Sequence, residues 1–465
     1  MKSTWAKACD EQEAQEIDKN VCRLQENIST SDDISSEKCV PTSELSLMRK
    51  ILHTKPFESQ NNIEVYCKNG KNPFCSIKTF EELGLKKNLI QGVYDLGYSL
   101  PSDIQGVVLP ALLADPPVDM IAQSQSGTGK TAAFSLALLS RIDTSKNCLQ
   151  ALCLSPTMEL ALQTLDFMKR LAKHCTDITI RSGVKKDRVP QGSKITDHIV
   201  IGTPGKLVDW ATKYKVLDLC TCKMFVYDEA DVMIDIQGHQ QKSLRIQKGL
   251  PKNCQLMMFS ATYNQEVFDL ADAIMKDPVI LRLPKEEITL ENIKQLYVVC
   301  ENAEEKYEAI CSLYSIPVGN AIFFCNTKVH ALWLETTLKR DGHQVGLLTG
   351  DRTAEERNEV LRRFREGTER VLICTNVVAR GIDVITVSLV VNYDLPCMAG
   401  NKIADCVTYL HRIGRTGRFG KTGLAVNVIS GSNDLMLLKE IEEYFDIKIH
   451  RLNYNDIDEI LKLDI

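Results

Sequence analysis

The sequence predicts an α/β protein of two tandem, doubly wound parallel-sheet domains joined by a short linker. Three observations carry this. Short apolar runs alternate with helical patterns over two long stretches. A proline-bearing break from Lys276 to Asn292, with Pro278 and Pro284, separates them. A glycine-bearing loop, Ile121-Ala-Gln-Ser-Gln-Ser-Gly-Thr-Gly-Lys-Thr131, lies between an apolar run and a helix former, Ala132 to Leu139. The expected divisions are a polar extension at 1–42, a leader at 43–73, a first domain at 74–280, a linker at 281–293 and a second domain at 294–465.

Composition narrows the class. The chain of 465 residues is 44% hydrophobic and 25% charged, the balance of a soluble globular protein. No apolar run reaches membrane-spanning length and Met1-Lys-Ser-Thr-Trp5 opens no signal peptide, so no membrane insertion is expected. The 17 cysteines are scattered, often in or beside apolar strands, as with Cys153, Cys325 and Cys374, the habit of reduced cytoplasmic thiols. Cys220 and Cys222 form a lone C-x-C without a second pair or nearby histidine, which suits structural cysteines better than a metal site. A net charge of −5 excludes a global basic field, so any nucleic-acid contact must be local.

Along the chain, residues 1–42 are polar, acidic and serine-rich and read as disordered. Ser43 to Leu52 places Leu45, Met48 and Leu52 on one helical stripe. In the first domain the strands are expected at Val118–Ile121, Ala151–Leu154, Ile178–Arg181, His198–Ile201, Met224–Tyr227 and Leu256–Phe259, with helices such as Glu159–His174 and Asn264–Met275. In the second they are expected at Gln295–Val299, Ala321–Phe324, Val345–Leu348, Val371–Cys374, Leu389–Asn392 and Ala425–Val428, with helices Glu304–Tyr314, Val329–Leu338, Ala354–Arg365 and Asp434–Tyr444.

The loop residues have the chemistry of phosphate binding. Gly127 and Gly129 let the backbone turn and aim N–H groups inward, with Ser126 and Thr128 between and beside them. Lys130 brings a charge to the β- and γ-phosphates, and the Thr131 hydroxyl can ligate Mg²⁺. Asp228-Glu-Ala-Asp231 follows an apolar strand, where such sheets place a metal ligand, here Asp228, and a water-orienting base, here Glu229.

With these motifs the sequence resembles the DEAD-box RNA helicases over nearly all of residues 74–465. The resemblance implies RecA-like domains, ATP with Mg²⁺, and RNA-stimulated hydrolysis of ATP to ADP and phosphate. Phe80, Tyr98 and Gln105 resemble the family's Q motif, with Gln105 pairing to adenine and Tyr98 offering a stacking face. Ser260-Ala-Thr262, with Asp231 and His411, implies coupling of the acidic motif to domain closure. Thr375-Asn376 and Ala379-Arg-Gly-Ile-Asp383 resemble motif V, placing Gly381 and Asp383 at the nucleotide. His411-Arg-Ile-Gly-Arg-Thr-Gly-Arg418 matches motif VI, whose arginine fingers fall on Arg415 and Arg418.

The RNA residues implied are Pro156, Thr157, Thr203 and Gly205 in the first domain and Thr327, Arg357 and Thr375 in the second, groups that bind phosphate and sugar and read no sequence. Departures from the pattern, namely Met158 for a frequent arginine, Ala354, Val407, Leu100 and Asp103, touch RNA affinity more than hydrolysis. Asp231-Val-Met-Ile234, Arg245-Ile-Gln247 and the insertion Pro396 to Asp405 are similar to the branch of mRNA-export helicases at the nuclear pore. That likeness implies a monomer that remodels mRNA and its bound proteins. It implies a nucleoporin docking on Arg245 and Lys248, and an export factor carrying an inositol phosphate. It also implies that Ser43–Leu52 holds activity down, and a place in the cytoplasm at the cytoplasmic face of the pore, with shuttling to the nucleus. The rival from another class is a non-catalytic RNA clamp that kept the fold and lost turnover.

Overall fold

The computed structural model describes residues 64–66, 76–123, 128–190, 192–234, 239–262, 265–282, 292–313, 319–376, 387–398, 403–417 and 422–456. The described residues fall into two compact units, one within Ser59–Leu290 and one beginning at Glu291.

In the first unit the strands are β1 (Glu64–Tyr66), β2 (Met120–Gln123), β3 (Ala151–Leu154), β4 (Ile180–Gly183), β5 (Ile199–Gly202), β6 (Met224–Asp228), β7 (Gln255–Ser260) and β8 (Val279–Arg282). Their order is β1-β8-β2-β7-β6-β3-β5-β4. All pairs are parallel except β1 with β8. Strands β2, β3, β5, β6 and β7 are buried along their whole length, as expected of strands covered by helices on both faces. The helices are α1 (Lys87–Asp95), α2 (Asp103–Leu112), α3 (Lys130–Ser140), α4 (Met158–Leu171), α5 (Pro204–Val208), α6 (Ala230–Ile234), α7 (Gln240–Gln247) and α8 (Gln265–Ile274).

The second unit holds β9 (Ile293–Val299), β10 (Asn320–Cys325), β11 (Val345–Leu348), β12 (Val371–Thr375), β13 (Val387–Asn392), β14 (Gly423–Ile429) and β15 (His450–Arg451), in the all-parallel order β11-β12-β10-β13-β14-β9-β15. Its helices are α9 (Ala303–Leu313), α10 (Lys328–Arg340), α11 (Ala354–Arg365), α12 (Cys406–Ile413) and α13 (Gly431–Phe445). Phe323, Ile373, Val391 and Val426 meet in its core, each essentially unexposed.

Two sequence boundaries shift. Val279–Arg282, expected at the end of the domain and the start of the linker, is a sheet strand, because Val279, Ile280 and Leu281 pair with β2. The leader contributes β1, which pairs Val65 with Leu281. Three residues of Glu-Val-Tyr are too short for an alternation signal, and Pro278 and Pro284 masked the strand between them. The helix expected at Ser43–Leu52 lies outside the described residues.

Candidate functional site

In the first unit the candidate residues gather at the carboxyl ends of the parallel strands. β2 leads toward the phosphate loop, of which Thr128 to Thr131 are described and Ser126 and Gly127 are not. Gly129 has φ 99°, a left-handed conformation that suits glycine, and it caps the amino end of α3. A side chain there would also collide with the Gln105 amide. Lys130 opens α3 and is buried.

Helix α2 braces this loop. Ser102 and Gln105 form a capping box, in which the Ser102 backbone N–H donates to Gln105 Oε1 at 3.0 Å. Ser102 Oγ donates to the Thr128 carbonyl at 2.9 Å and Gln105 Nε2 to the Gly129 carbonyl at 3.2 Å. Gln105 is 2% exposed, so both ends of its amide are engaged inside the protein, where sequence alone had it pairing with adenine. Phe80 is 1% exposed and its ring is a core element rather than an open face. Tyr98 is half-buried and meets Phe167 edge-on, with 6.3 Å between ring centroids.

The acidic motif follows β6. Asp228 and Glu229 are buried, and Asp228 Oδ2 and Glu229 Oε2 have no hydrogen-bond partner among the described residues. Burial pushes the Asp228 carboxyl up to about 8; Glu229 adds to the rise and Lys130 opposes it. Glu229 sits at φ 52°, a left-handed conformation unusual outside glycine, asparagine and aspartate, held where β6 turns into α6. Such an arrangement of buried, unsatisfied carboxylate oxygens beside Lys130 fits a divalent cation. Thr262 Oγ1 donates to Asp231 Oδ2 at 2.5 Å and the Thr262 backbone N–H to Ser260 Oγ at 3.3 Å, so the Ser260–Thr262 segment is tied directly to the acidic motif.

Among the residues expected to meet nucleic acid, Thr157 caps α4, its Oγ1 accepting from the Leu160 N–H at 3.2 Å, and Pro156 precedes it, just after β3. Met158 is 7% exposed, so it packs inward. Thr203 and Gly205 begin α5 after β5, with Gly205 open to any approaching group. The next residue was not singled out from the sequence. Lys206 lies over the Trp210 ring at 5.1 Å, and a π-helical turn, Asp209–Lys213, holds that tryptophan in the core. Arg245 and Lys248 are exposed at the end of α7.

In the second unit Thr327 caps α10, accepting from the His330 N–H at 3.2 Å, and Thr375 ends β12. Arg357 is half-buried in the first turns of α11. His411 lies on α12, and Arg415, just beyond it, donates from Nε to the His411 carbonyl at 3.0 Å. Gly381, Asp383 and Arg418 lie outside the described residues. The most connected side chain here, Arg412, was also missed. Its guanidinium is fully buried, lies 5.2 Å from the Phe324 ring centroid, and is lowered by burial to about 10.

The family profile described as DEAD/DEAH box helicase matches residues 102–270, and the one described as Helicase conserved C-terminal domain matches residues 305–420. The chain is 49% identical over 439 residues to "ATP-dependent RNA helicase DDX25" of Homo sapiens, covering 94% of this chain and 90% of that protein. It resembles the solved structure of S. cerevisiae Dbp5 bound to RNA and ADP BeF3, at a TM-score of 0.78 and 43% identity, covering 83% of this chain and 100% of that one. A Dbp5 variant bound to Nup159, Gle1, IP6 and ADP matches at a TM-score of 0.59 and 41% identity, covering 81% of this chain and 97% of that one.

Proposed function

This chain belongs to the DEAD-box helicase family and is an ATP-dependent RNA helicase, and we propose that it remodels RNA or RNA–protein complexes in mRNA export at the cytoplasmic face of the nuclear pore. The observation that carries the catalytic reading is the buried Asp228–Glu229 pair, with unsatisfied oxygens, at the strand end beside Lys130. The export reading is supported by likeness to Dbp5, whose solved complex contains a nucleoporin, Gle1 and IP6.

In the proposed reaction Lys130 and the loop amides hold the triphosphate, while Ser102 and Gln105 fix the loop that presents them. Asp228 and Thr131 would hold Mg²⁺, which supplies charge neutralisation at the phosphates when bound. Glu229 orients the attacking water and takes its proton. Its left-handed backbone, φ 52°, lies at the turn from β6 into α6. The second domain supplies Arg415 and Arg418 to the charge that develops on the γ-phosphate. Thr262, bonded to Asp231, links the state of the acidic motif to closure of the domains. Pro156, Thr157, Thr203, Gly205, Thr327, Arg357 and Thr375 engage the RNA backbone, with Lys206 added to the set, so the enzyme acts without sequence preference. Arg245 and Lys248 form the nucleoporin dock, and a Gle1-like factor with its inositol phosphate is the second partner.

Phosphate release from ATP, measured alone, with single-stranded RNA and with DNA of the same sequence, tests this reading. RNA should stimulate turnover and DNA should not. Equal rates in all three conditions would overturn it.

A further inference from the structure

Five polar side chains in the second domain, four of them fully buried, form one chain that the catalytic reading does not use. It starts at Gln295 on β9, early in the first strand after the linker region. Tyr409 OH donates to Gln295 Oε1 at 2.9 Å. Asn427 Nδ2 donates to Tyr409 OH at 3.2 Å and to the Leu296 carbonyl at 3.1 Å. Asn392 Nδ2 donates to Asn427 Oδ1 at 2.8 Å, and Arg412 Nη1 donates to Asn392 Oδ1 at 3.2 Å. Tyr409, Asn427, Asn392 and Arg412 are all 0% exposed.

Arg412 then fans out over three strand ends. Nη1 also donates to the Asp394 carbonyl at 2.7 Å, beyond β13. Nη2 donates to Asn326 Oδ1 at 2.8 Å, beyond β10. Nε donates to Asn376 Oδ1 at 3.0 Å, beyond β12, and Nη2 shares that oxygen. These five contacts match the five N–H donors of a guanidinium, so the group is fully satisfied. Asn326 adjoins Thr327 and Asn376 adjoins Thr375, the two hydroxyl residues assigned to RNA. Arg415 lies one turn along from Arg412.

A buried polar network of this size adds little stability over apolar residues of the same shape, because desolvation offsets most of the attraction. What a fully satisfied network does contribute is one fixed arrangement. We propose that Arg412 is a positioning residue, and that the chain from Gln295 through Tyr409, Asn427 and Asn392 to Arg412 holds the Thr327 and Thr375 strand ends in the places RNA binding requires. This rests on the reading of Thr327 and Thr375 as RNA contacts.

The test is an ATPase titration with single-stranded RNA on the full chain, beside thermal melting. Arg412→Lys keeps the charge and loses the planar fork. It should raise the RNA concentration for half-maximal activity about tenfold, the size of a lost hydrogen bond to a charged group. Tyr409→Phe removes only the hydroxyl between Gln295 and Asn427 and leaves the ring packed. It should move the same quantity upward by about twofold to fivefold. Combined with Thr327→Ala, Arg412→Lys should shift RNA half-saturation by less than the product of the single effects, since both act at one contact. Variants that lower the melting temperature and leave RNA half-saturation at the wild-type value would make Arg412 a core residue only and overturn the proposal. Fully multiplicative effects would overturn it as well. Thr327→Ala at wild-type half-saturation would instead remove the Thr327 contact, and the relay would then be judged in the same way on Thr375→Ala.

Discussion

Replacing Gln105 with alanine removes two hydrogen bonds from one buried amide: the acceptor for the Ser102 N–H and the donor to the Gly129 carbonyl. The first belongs to the α2 cap and the second to the phosphate loop. A neutral hydrogen bond contributes about 1 kcal/mol net, and the Gly129 carbonyl keeps the Ala133 N–H as a second donor at 3.0 Å. The Gly129 side of the loss is therefore about 1 kcal/mol, which corresponds to roughly fivefold in nucleotide affinity if the loop must be re-ordered on binding. Glycine at position 129 makes this bracing matter, because the loop has no side chain of its own there. The KM for both ATP and GTP should rise through the loop. If the amide turns to the base once ATP is bound, the KM for ATP should rise further, by the about 1–3 kcal/mol that a paired base edge is worth. The assay is steady-state phosphate release against ATP and GTP at saturating RNA. An unchanged KM for ATP in Gln105→Ala would refute both roles. A parallel rise for the two nucleotides would leave the loop brace and remove the base contact.

Three further outcomes are expected. Charge reversal at Arg245, exposed at the end of α7, should weaken nucleoporin binding and leave basal ATPase activity unchanged; equal affinity of wild type and Arg245→Asp in a titration removes the dock. Deleting residues 1–53 should raise ATPase activity most at low RNA, because an inhibitory helix can act only through its preference for the open state; an unchanged RNA concentration for half-maximal activity contradicts this. The folded pKa of Asp228 is raised from 3.8 to about 8, so without nucleotide the folded chain holds a proton that the unfolded chain releases across that window. Its contribution to stability is thus present at low pH and is lost as pH rises toward about 8, and the melting temperature of Asp228→Asn should climb relative to wild type over that range. A constant difference across the range would show that Asp228 is not desolvated.

Much of the fold could be read from the sequence because buried parallel strands are continuous apolar runs. Ala151–Leu154, Val345–Leu348 and Ala354–Arg365 were placed to the residue. The strands that escaped, β1, β8 and β15, are short or bracketed by proline, so local pattern gave no signal and only pairing with a neighbour defines them. At the site, residues in contiguous motifs are neighbours in space: Lys130 and Glu229 act on Asp228, and Thr262 bonds Asp231. Gln105 was found, but its engagement with Gly129 is a contact across 24 positions that spacing cannot reveal. The stacking of Lys206 on the Trp210 ring is a side-chain contact that no sequence motif marks. The Arg412 network joins residues from six separate segments, each of which reads as an ordinary polar residue in its own strand, helix or loop.

The most direct test of ATP-driven RNA remodelling is a paired measurement on Glu229→Gln, which keeps the side chain's size and removes its basicity. Multiple-turnover phosphate release in the presence of RNA should be abolished, while RNA retention in the presence of ATP should increase, as the closed state forms and cannot hydrolyse its way out. Phosphate release near the wild-type rate in that variant would contradict the assignment of Glu229, and with it the catalytic centre described here.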